Sequence, residues 1–149
     1  MDLEIRPATP EDVPAIVDML ADDPLGARRE SPGDLTPYLA ALKRVTADPN
    51  QRLVVVVRDG HVVGTLQLTL IPGLSHRGAT RSIIEAVRIH ADERGSGLGT
   101  RLIEWAIDES RRQDCRLVQL TSDNTRTDAH RFYERLGFTA SHVGFKLKL

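Results

Sequence analysis

The sequence has 149 residues, of which 40% are hydrophobic and 28% are charged, and its formal net charge is -1. This size and composition predict one globular domain, residues 1–149, and the balanced charge disfavours a nucleic-acid partner. The sequence has one cysteine and no apolar run near the roughly 20 residues that span a bilayer, and its first residues lack the basic-then-apolar pattern of a secretory signal. We therefore expect a cytoplasmic protein with no membrane segment, no internal disulfide and no metal site.

The first 50 residues predict one strand and two helices. The strand covers residues 3–6, and Thr9 and Pro10 follow it as the N-cap and the first residue of a helix. The apolar stripe of this helix consists of Val13, Ile16, Val17 and Leu20. Asp34 is expected to cap a second helix. Its stripe consists of Leu35, Tyr38, Leu39 and Leu42.

The middle of the chain predicts three strands. Residues 53–57 form a β-branched run and residues 62–70 an alternating one, and Asp59–Gly60 between them is a pair typical of hairpin turns. A polar loop at residues 74–80 leads to a third strand at residues 83–90.

The last third of the chain predicts two helices and up to three strands. A helix follows a glycine-rich turn and ends near residue 112, and a short strand covers residues 117–120. A second helix has an apolar stripe that ends before Gly137, and residues 138–149 predict one or two closing strands. The order β-α-α-β-β-β-α-β-α-β indicates an α/β fold with a mixed, partly antiparallel sheet.

The glycine-rich turn covers residues 94–100 and has the sequence Arg-Gly-Ser-Gly-Leu-Gly-Thr. At the start of a helix, unpaired N–H groups and the helix dipole favour a bound phosphate. A P-loop would need a lysine that is absent here, and Thr100 replaces the third glycine of a Rossmann turn. The remaining pattern, Arg-x-x-Gly-x-Gly, is met by Arg94, Gly97 and Gly99.

With this pattern the chain resembles the GCN5-related N-acetyltransferases over nearly its whole length. The resemblance also rests on residues 5–9, on Val63–Gly64 after the hairpin, and on residues 129–138. It implies the acyl-CoA N-acyltransferase fold of that family. It also implies a homodimeric enzyme that transfers an acetyl group from acetyl-CoA to a primary amine by direct attack.

The resemblance implies how acetyl-CoA is held. The pyrophosphate would lie on the turn formed by Arg94, Gly95, Ser96, Gly97, Leu98, Gly99 and Thr100. The pantetheine arm would pair with the backbone of Val87 and Ile89, on either side of Arg88. Many members also have an asparagine seven residues before a tyrosine, where this chain has Arg126. Either Asn124 takes that role from a shifted loop, or Arg126 contacts the phosphate-bearing end.

Glu85 is the candidate general base. Alternation along the strand places it in a row with Ile83, Val87 and Ile89, and a poorly solvated carboxylate is a stronger base than one in water. The resemblance implies that it takes the proton of the acceptor's ammonium group. Two alternatives remain open, an ion pair with Arg81, Arg88 or Arg101 and an anchor for the ammonium group.

Tyr133 is the candidate general acid. Its position on the apolar helix stripe alone indicates a core residue. The resemblance instead implies that its phenol protonates the departing thiolate of coenzyme A.

The acceptor side is expected in the loops at residues 22–38, 71–80 and 141–145. Its candidate residues are Tyr38, His76, Arg77 and His142. Residues 127–133 and Ser141–His142 resemble the aminoalkylphosphonate acetyltransferase branch, which implies a small amine that carries a phosphonate. Acetylation of proteins at their N-terminus or at lysine, and a non-catalytic module that binds acyl-CoA, are the alternative functions.

Overall fold

The computed structural model describes residues 2–149, which form two compact units that divide between Gln119 and Leu120. The first unit contains a five-stranded sheet in the order β1-β2-β3-β4-β5. Its strands are β1 (Leu3–Pro7), β2 (Gln51–Arg58), β3 (His61–Pro72), β4 (Thr80–Ile89) and β5 (Leu117–Gln119). The first four strands are antiparallel neighbours and β5 is parallel to β4. The predicted mixed sheet is confirmed, and whether the chain is one domain stays a prediction.

The helices of the first unit are α1 (Val13–Ala21), α2 (Gly26–Arg29), α3 (Thr36–Ala47), α4 (Ser75–Gly78) and α5 (Leu98–Arg112). The long helices α1 and α3 were expected from their apolar stripes, and α5 was expected after the glycine-rich turn. The one-turn helices α2 and α4 were not, because four residues carry no periodicity that a sequence pattern can reveal.

Helix α5 covers one face of the sheet. Ser82 on β4 and Ser110 on α5 share a buried hydrogen bond of 2.7 Å, which fixes the side of β4 that faces this helix. Leu68 and Leu70 of β3 pair with Ile84 and Ser82, so they face α5 as well. These side chains and the inner face of α5 are buried. Burial of this apolar area is the main force that holds α5 against the strands.

Helices α1 and α3 cover the opposite face. Val13 and Val17 of α1 pack with Leu42 of α3 in one buried cluster, which also contacts the half-buried Leu53 of β2. The chain enters α1 through a 3-10 turn at Pro10–Asp12. There the Asp12 carboxylate accepts hydrogen bonds from the backbone N–H of Thr9 and from the Arg6 guanidinium, each at 2.7 Å.

A β-bulge in β4 changes which side chains share a face. Glu85 pairs with Gln67 of β3, but Arg88 pairs with Thr65, so one residue of β3 opposes two residues of β4. The extra residue is Ala86, whose φ of 54° lies in the left-handed region. Beyond the bulge, Arg88 therefore shares a face with Glu85. The predicted apolar row of Glu85 with Val87 and Ile89 is wrong, because one inserted residue reverses the alternation.

The second unit, Leu120–Leu149, contains α6 (Thr127–Arg135). Tyr133 of this helix meets Phe132 and Phe138 edge to face, with ring centroids 5.2 and 5.9 Å apart. Residues 139–149 form neither strand nor helix. The expectation of one or two closing strands within residues 138–149 is therefore wrong for this structure. The segment has the side-chain alternation of a strand, but alternation alone does not supply the backbone pairing that a strand needs.

Candidate active site

Glu85 lies on the face of β4 that α1 and α3 cover, next to the bulge. Its side chain is exposed, so the expectation of a poorly solvated carboxylate is wrong. Within residues 2–149, Arg88 pairs with Asp23 instead, and no ion pair joins Glu85 to any of the three arginines considered. The carboxylate is therefore open to an incoming amine.

The edge of β4 that faces β5 is open beyond residue 83. The two strands pair only over residues 81–83, although β4 continues to Ile89, and no other described strand pairs with this edge. In an antiparallel pair, successive residues direct their backbone N–H and C=O groups to opposite edges. The N–H of His90 donates to the carbonyl of Val63 on β3, so the backbone groups of Ile89 and Val87 point to the open edge. This open edge can form backbone hydrogen bonds with the amide groups of an extended molecule.

The glycine-rich turn joins β4 to α5 where this open edge ends. Gly95 and Gly97 have φ values of 81° and 83°, in the left-handed region that favours glycine. A Cβ atom built on either would meet nothing within 4 Å, so the space above the turn is free. Gly97 is the N-cap of α5, whose first N–H groups have no carbonyl partner within the helix. The geometry fits a bound pyrophosphate, and Gly99 lies inside the first turn of α5.

Two ion pairs join the loop after α1 to this region. Arg88 of β4 lies 3.5 Å from the carboxylate of Asp23, and Arg94 of the turn lies 3.3 Å from that of Asp22. The N–H of Gly26 donates to Asp23 and is the main reason that the pKa of this carboxyl is lowered. Neither acid was expected from the sequence, because nothing in their spacing connects them to β4.

Arg88 also contains a buried polar atom without a partner. Its Nη1 donates to the carbonyl of Val87 at 2.9 Å. Its Nε is buried and has no hydrogen-bond acceptor among residues 2–149. Such an atom marks a position where a ligand oxygen or a water would complete the hydrogen bonds.

The short segment α4 between β3 and β4 presents the acceptor candidates His76 and Arg77, and its backbone departs from a regular helix at both residues. Both are exposed and have left-handed φ values of 52° and 61°. Backbone strain of this kind in an exposed segment is found at ligand-binding sites more often than elsewhere.

Tyr38, the third acceptor candidate, lies on α3 and not in this segment. Its hydroxyl accepts from the N–H of Ser31 and donates to Glu30, so it holds the loop before α3 together.

An apolar cavity of about 130 Å³ lies between α1, α3 and the sheet. It is lined on the sheet side by Leu53, Thr65, Gln67 and Ala86, and Tyr38 closes part of it. The bulge therefore contributes both to this cavity and to the position of Glu85. The cavity was not expected from the sequence, since the same apolar residues also predict a filled core.

The remaining candidates belong to the second unit. Asn124 and Arg126 are exposed in the turn before α6, and the N–H of Arg126 donates to the carbonyl of Asp123. Tyr133 is half-buried on α6. His142 is exposed, and its Nδ1 lies 2.6 Å from the hydroxyl of Ser141.

Residues 2–149 hold no group of three His, Cys, Asp or Glu side chains that is arranged to bind a metal ion. Within the same residues, no helix is both long enough and apolar enough to cross a membrane.

Comparison with known proteins identifies relatives of the whole chain. The sequence model of the acetyltransferase (GNAT) family matches residues 13–138. The aminoalkylphosphonate N-acetyltransferase of Salmonella typhimurium is 30% identical over 95% of this chain and 88% of its own length. The glucosamine 6-phosphate N-acetyltransferase of Trypanosoma brucei brucei is 31% identical over 88% of this chain and 93% of its own. Among solved structures, a transcriptional regulator from Bacillus halodurans C-125 matches with a TM-score of 0.95 and 43% identity, over 99% of this chain and 100% of that one.

Proposed function

Because the chain belongs to the GNAT family of acetyltransferases, we propose that it transfers the acetyl group of acetyl-CoA to a primary amine of a small molecule. One observation carries this proposal most directly. The left-handed glycine turn at the start of α5 follows the open edge of β4. A cofactor whose extended pantetheine arm leads into a pyrophosphate needs these two features side by side.

The residues fit such a cofactor. The turn from Arg94 to Thr100 would hold the pyrophosphate through backbone N–H groups and the positive end of α5. Val87 and Ile89 would pair with the amides of the pantetheine arm through their outward backbone groups. When bound, acetyl-CoA supplies an activated acetyl thioester. Asn124 or Arg126 would add a further contact from the loop before α6.

Two side chains would move the protons. Glu85 would take a proton from the acceptor's ammonium group, directly or through a water, because only the neutral amine attacks a thioester. Tyr133 would give its phenolic proton to the departing sulfur. A free phenol, with a pKa of about 10, keeps that proton at neutral pH.

The acceptor is proposed to be a small amine that carries a phosphonate or phosphate. The names of both curated relatives describe acceptors that contain phosphorus and an amine. Arg77 offers a positive charge at the tip of the loop between β3 and β4, and His76 and His142 are further candidates for contact. Arg88, with its unpartnered Nε, lies on the same face as Glu85. Tyr38 would shape the acceptor side by closing the apolar cavity.

Two further parts of the proposal rest on the family resemblance and on composition. We propose that the protein works in the cytoplasm and forms a homodimer, without nucleic-acid or membrane partners. Protein acetylation and a non-catalytic module that binds acyl-CoA are the alternatives, and the second predicts tight binding of acetyl-CoA with no release of free coenzyme A.

The proposed function is tested by calorimetry with acetyl-CoA and by a screen of amine acceptors for release of free coenzyme A. We expect binding, and turnover with at least one amine that carries a phosphonate or phosphate. Gly97→Ala should weaken binding at least tenfold, because the methyl group enters the space proposed for the pyrophosphate and the left-handed φ disfavours alanine.

The matched control is Gly60→Ala in the hairpin between β2 and β3. Gly60 has a similar φ of 79° and free space around it, but it lies outside the proposed cofactor site. Both variants carry the same kind of backbone strain, so only a ligand contact separates them. Equal affinity in Gly97→Ala and the wild type would contradict the proposed cofactor site.

A further inference from the structure

The guanidinium of Arg88 is oriented by the backbone, and one of its edges makes no hydrogen bond. Its Nη1 donates to the carbonyl of Val87 at 2.9 Å, which restricts the plane of the group. Another edge carries the Nε–H and one N–H of Nη2, and within residues 2–149 neither of these has a hydrogen-bond acceptor. This Nε–Nη2 edge has the geometry that binds two oxygens of a carboxylate, phosphonate or phosphate side by side.

Asp23 balances the charge of Arg88 without completing its hydrogen bonds. The Asp23 carboxylate lies 3.5 Å from Nη2, a separation that makes an ion pair but exceeds that of a good hydrogen bond. Its Oδ1 accepts from the N–H of Gly26, which ties the carboxylate to the start of α2. Asp23 therefore cannot move onto the Nε–Nη2 edge without straining that bond, and the edge stays available to another oxyanion.

The bulge in β4 brings Arg88 close to Glu85 on one face of the sheet. Glu85 and Arg88 pair with Gln67 and Thr65, which are two residues apart on β3. Two residues of a strand span about 7 Å. The described chain contains no ion pair between Glu85 and Arg88, so the two opposite charges share a face without neutralising each other. A small molecule whose ammonium group and oxyanion are a few bonds apart complements this arrangement.

We propose that Arg88 binds the phosphonate or phosphate of the acceptor through its Nε–Nη2 edge, while Glu85 receives the amine. This inference rests on the proposed function and assigns the acceptor's anionic group to one residue. Arg88 suits the role better than Arg77, because no hydrogen bond or ion pair within residues 2–149 orients the exposed guanidinium of Arg77. The bound oxyanion competes with Asp23 for the same guanidinium, so Asp23 weakens the binding that Arg88 provides.

The two members of this ion pair should therefore have opposite effects on KM, measured with aminoethylphosphonate and with ethylamine. Arg88→Met should raise the KM of aminoethylphosphonate at least about tenfold and change that of ethylamine less than about twofold. Asp23→Asn keeps an oxygen for the N–H of Gly26 and removes the competing charge, so the KM of aminoethylphosphonate should fall. If the pair only stabilised the fold, both variants would shift the two amines in the same direction, and that result overturns the proposal.

Three further variants identify the cause of a change in KM. Arg88→Lys keeps the positive charge but loses the two parallel donors, so its KM for aminoethylphosphonate should lie between those of the wild type and Arg88→Met. Arg44→Met, on the exposed side of α3, is the matched control and should behave as the wild type. Urea unfolding checks that each variant is folded in the assay. A rise specific to the phosphonate in Arg77→Met, and not in Arg88→Met, overturns the assignment.

Calorimetry with ethylphosphonate, which has no amine, measures the anion site without turnover. We expect this compound to bind the wild type, to bind Arg88→Met at least about tenfold more weakly, and to bind Asp23→Asn more tightly. This pattern with no release of coenzyme A from any amine would support the anion site and contradict the acetyltransferase. Turnover with the same KM for aminoethylphosphonate in the wild type and Arg88→Met would support the acetyltransferase and overturn the role of Arg88. A wild type that binds no ethylphosphonate and acetylates only ethylamine also overturns it.

Discussion

At the scale of single residues, Glu85 illustrates how one backbone irregularity decides a side chain's surroundings. The carboxylate is exposed beside the bulged Ala86, on the same face as the guanidinium of Arg88. A solvent-accessible carboxylate can meet the acceptor's ammonium group without a cavity having to open. The strength of Glu85 as a base then depends on how far the bound cofactor and acceptor shield its carboxylate from water.

We expect Glu85→Gln to slow turnover near neutral pH and to recover in part at higher pH, where more of the amine is already deprotonated. The measurement is kcat/KM against pH, with two acceptors whose amines differ in pKa. Glu104→Gln, which changes an exposed glutamate on α5, is the matched control and should behave as the wild type. Profiles that follow the acceptor and coincide for the wild type and Glu85→Gln would show that this carboxylate supplies no base.

Tyr133→Phe tests the proposed acid with little change in packing. Phenylalanine keeps the edge-to-face contacts with Phe132 and Phe138 and removes only the hydroxyl. We expect kcat to fall about 10²- to 10⁴-fold, the usual contribution of a general acid, with nearly unchanged affinity for acetyl-CoA. Tyr38→Phe removes the chain's other phenolic hydroxyl and should affect the KM of the acceptor instead, through the loop before α3. A kcat of Tyr133→Phe near that of the wild type would show that Tyr133 serves in packing and is not the general acid.

Sequence alternation predicted that Glu85 lies on β4, but it placed the wrong neighbours beside it. Alternation assumes a regular strand, and Ala86 gives no sign that it will adopt a left-handed φ. The side chains that surround Glu85 are set by the pairing of β3 with β4. Such pairing joins residues that are distant in the sequence, and local patterns do not contain it.

At the scale of elements, the bulge in β4 contributes both to the wall of the apolar cavity and to the position of the proposed base, Glu85. Ala86→Gly should keep the bulge and raise the free energy of unfolding slightly, because glycine tolerates the left-handed φ that alanine resists by about 1 kcal/mol. Ala86→Val should lower the free energy of unfolding by at least about 1 kcal/mol, since a β-branched side chain is strained at a left-handed φ. Denaturant unfolding measures both variants. Equal stability of all three proteins would mean that the bulge is not strained.

The elements that sequence predicted well are those with local signals. The Asp59–Gly60 turn, the stripes of α1 and α3, and the glycine turn before α5 each carry their own pattern, and all are present. Residues 138–149 show the limit of this approach. Their alternation is a genuine strand signal, but a strand also needs a neighbour, and the sequence does not say which chain supplies it.

At the scale of the whole molecule, hydrogen-bonded carboxylates connect stability to pH. The Arg6 guanidinium, together with the N–H and hydroxyl of Thr9, holds the pKa of the buried Asp12 below its ordinary 3.8. Burial acts to raise the pKa of Glu109, but hydrogen bonds from Arg112 and Arg52 outweigh it, and the net pKa is lowered. These groups connect β1 to the start of α1 and β2 to α5.

A carboxyl group whose pKa is lower in the folded state stabilises the fold above its unfolded pKa and loses that contribution as the pH falls through its folded pKa. We therefore expect the free energy of unfolding to stay nearly constant around neutral pH and to decline below about pH 5, as Asp12 and Glu109 become protonated. Urea unfolding over this range measures the decline.

Asp12→Asn separates the contribution of one carboxylate from general acid denaturation. At neutral pH the variant should lose about 1–3 kcal/mol, because the amide accepts weaker hydrogen bonds from Arg6 and Thr9 than a carboxylate does. Below the folded pKa of Asp12 the wild type has lost the same charge, so the two stability curves should converge in acid. Asp18→Asn, on the exposed side of α1, is the control and should follow the wild type at every pH. A constant difference between Asp12→Asn and the wild type down to the lowest pH would show that the variant loses stability through its amide group, and that the charge of Asp12 contributes nothing.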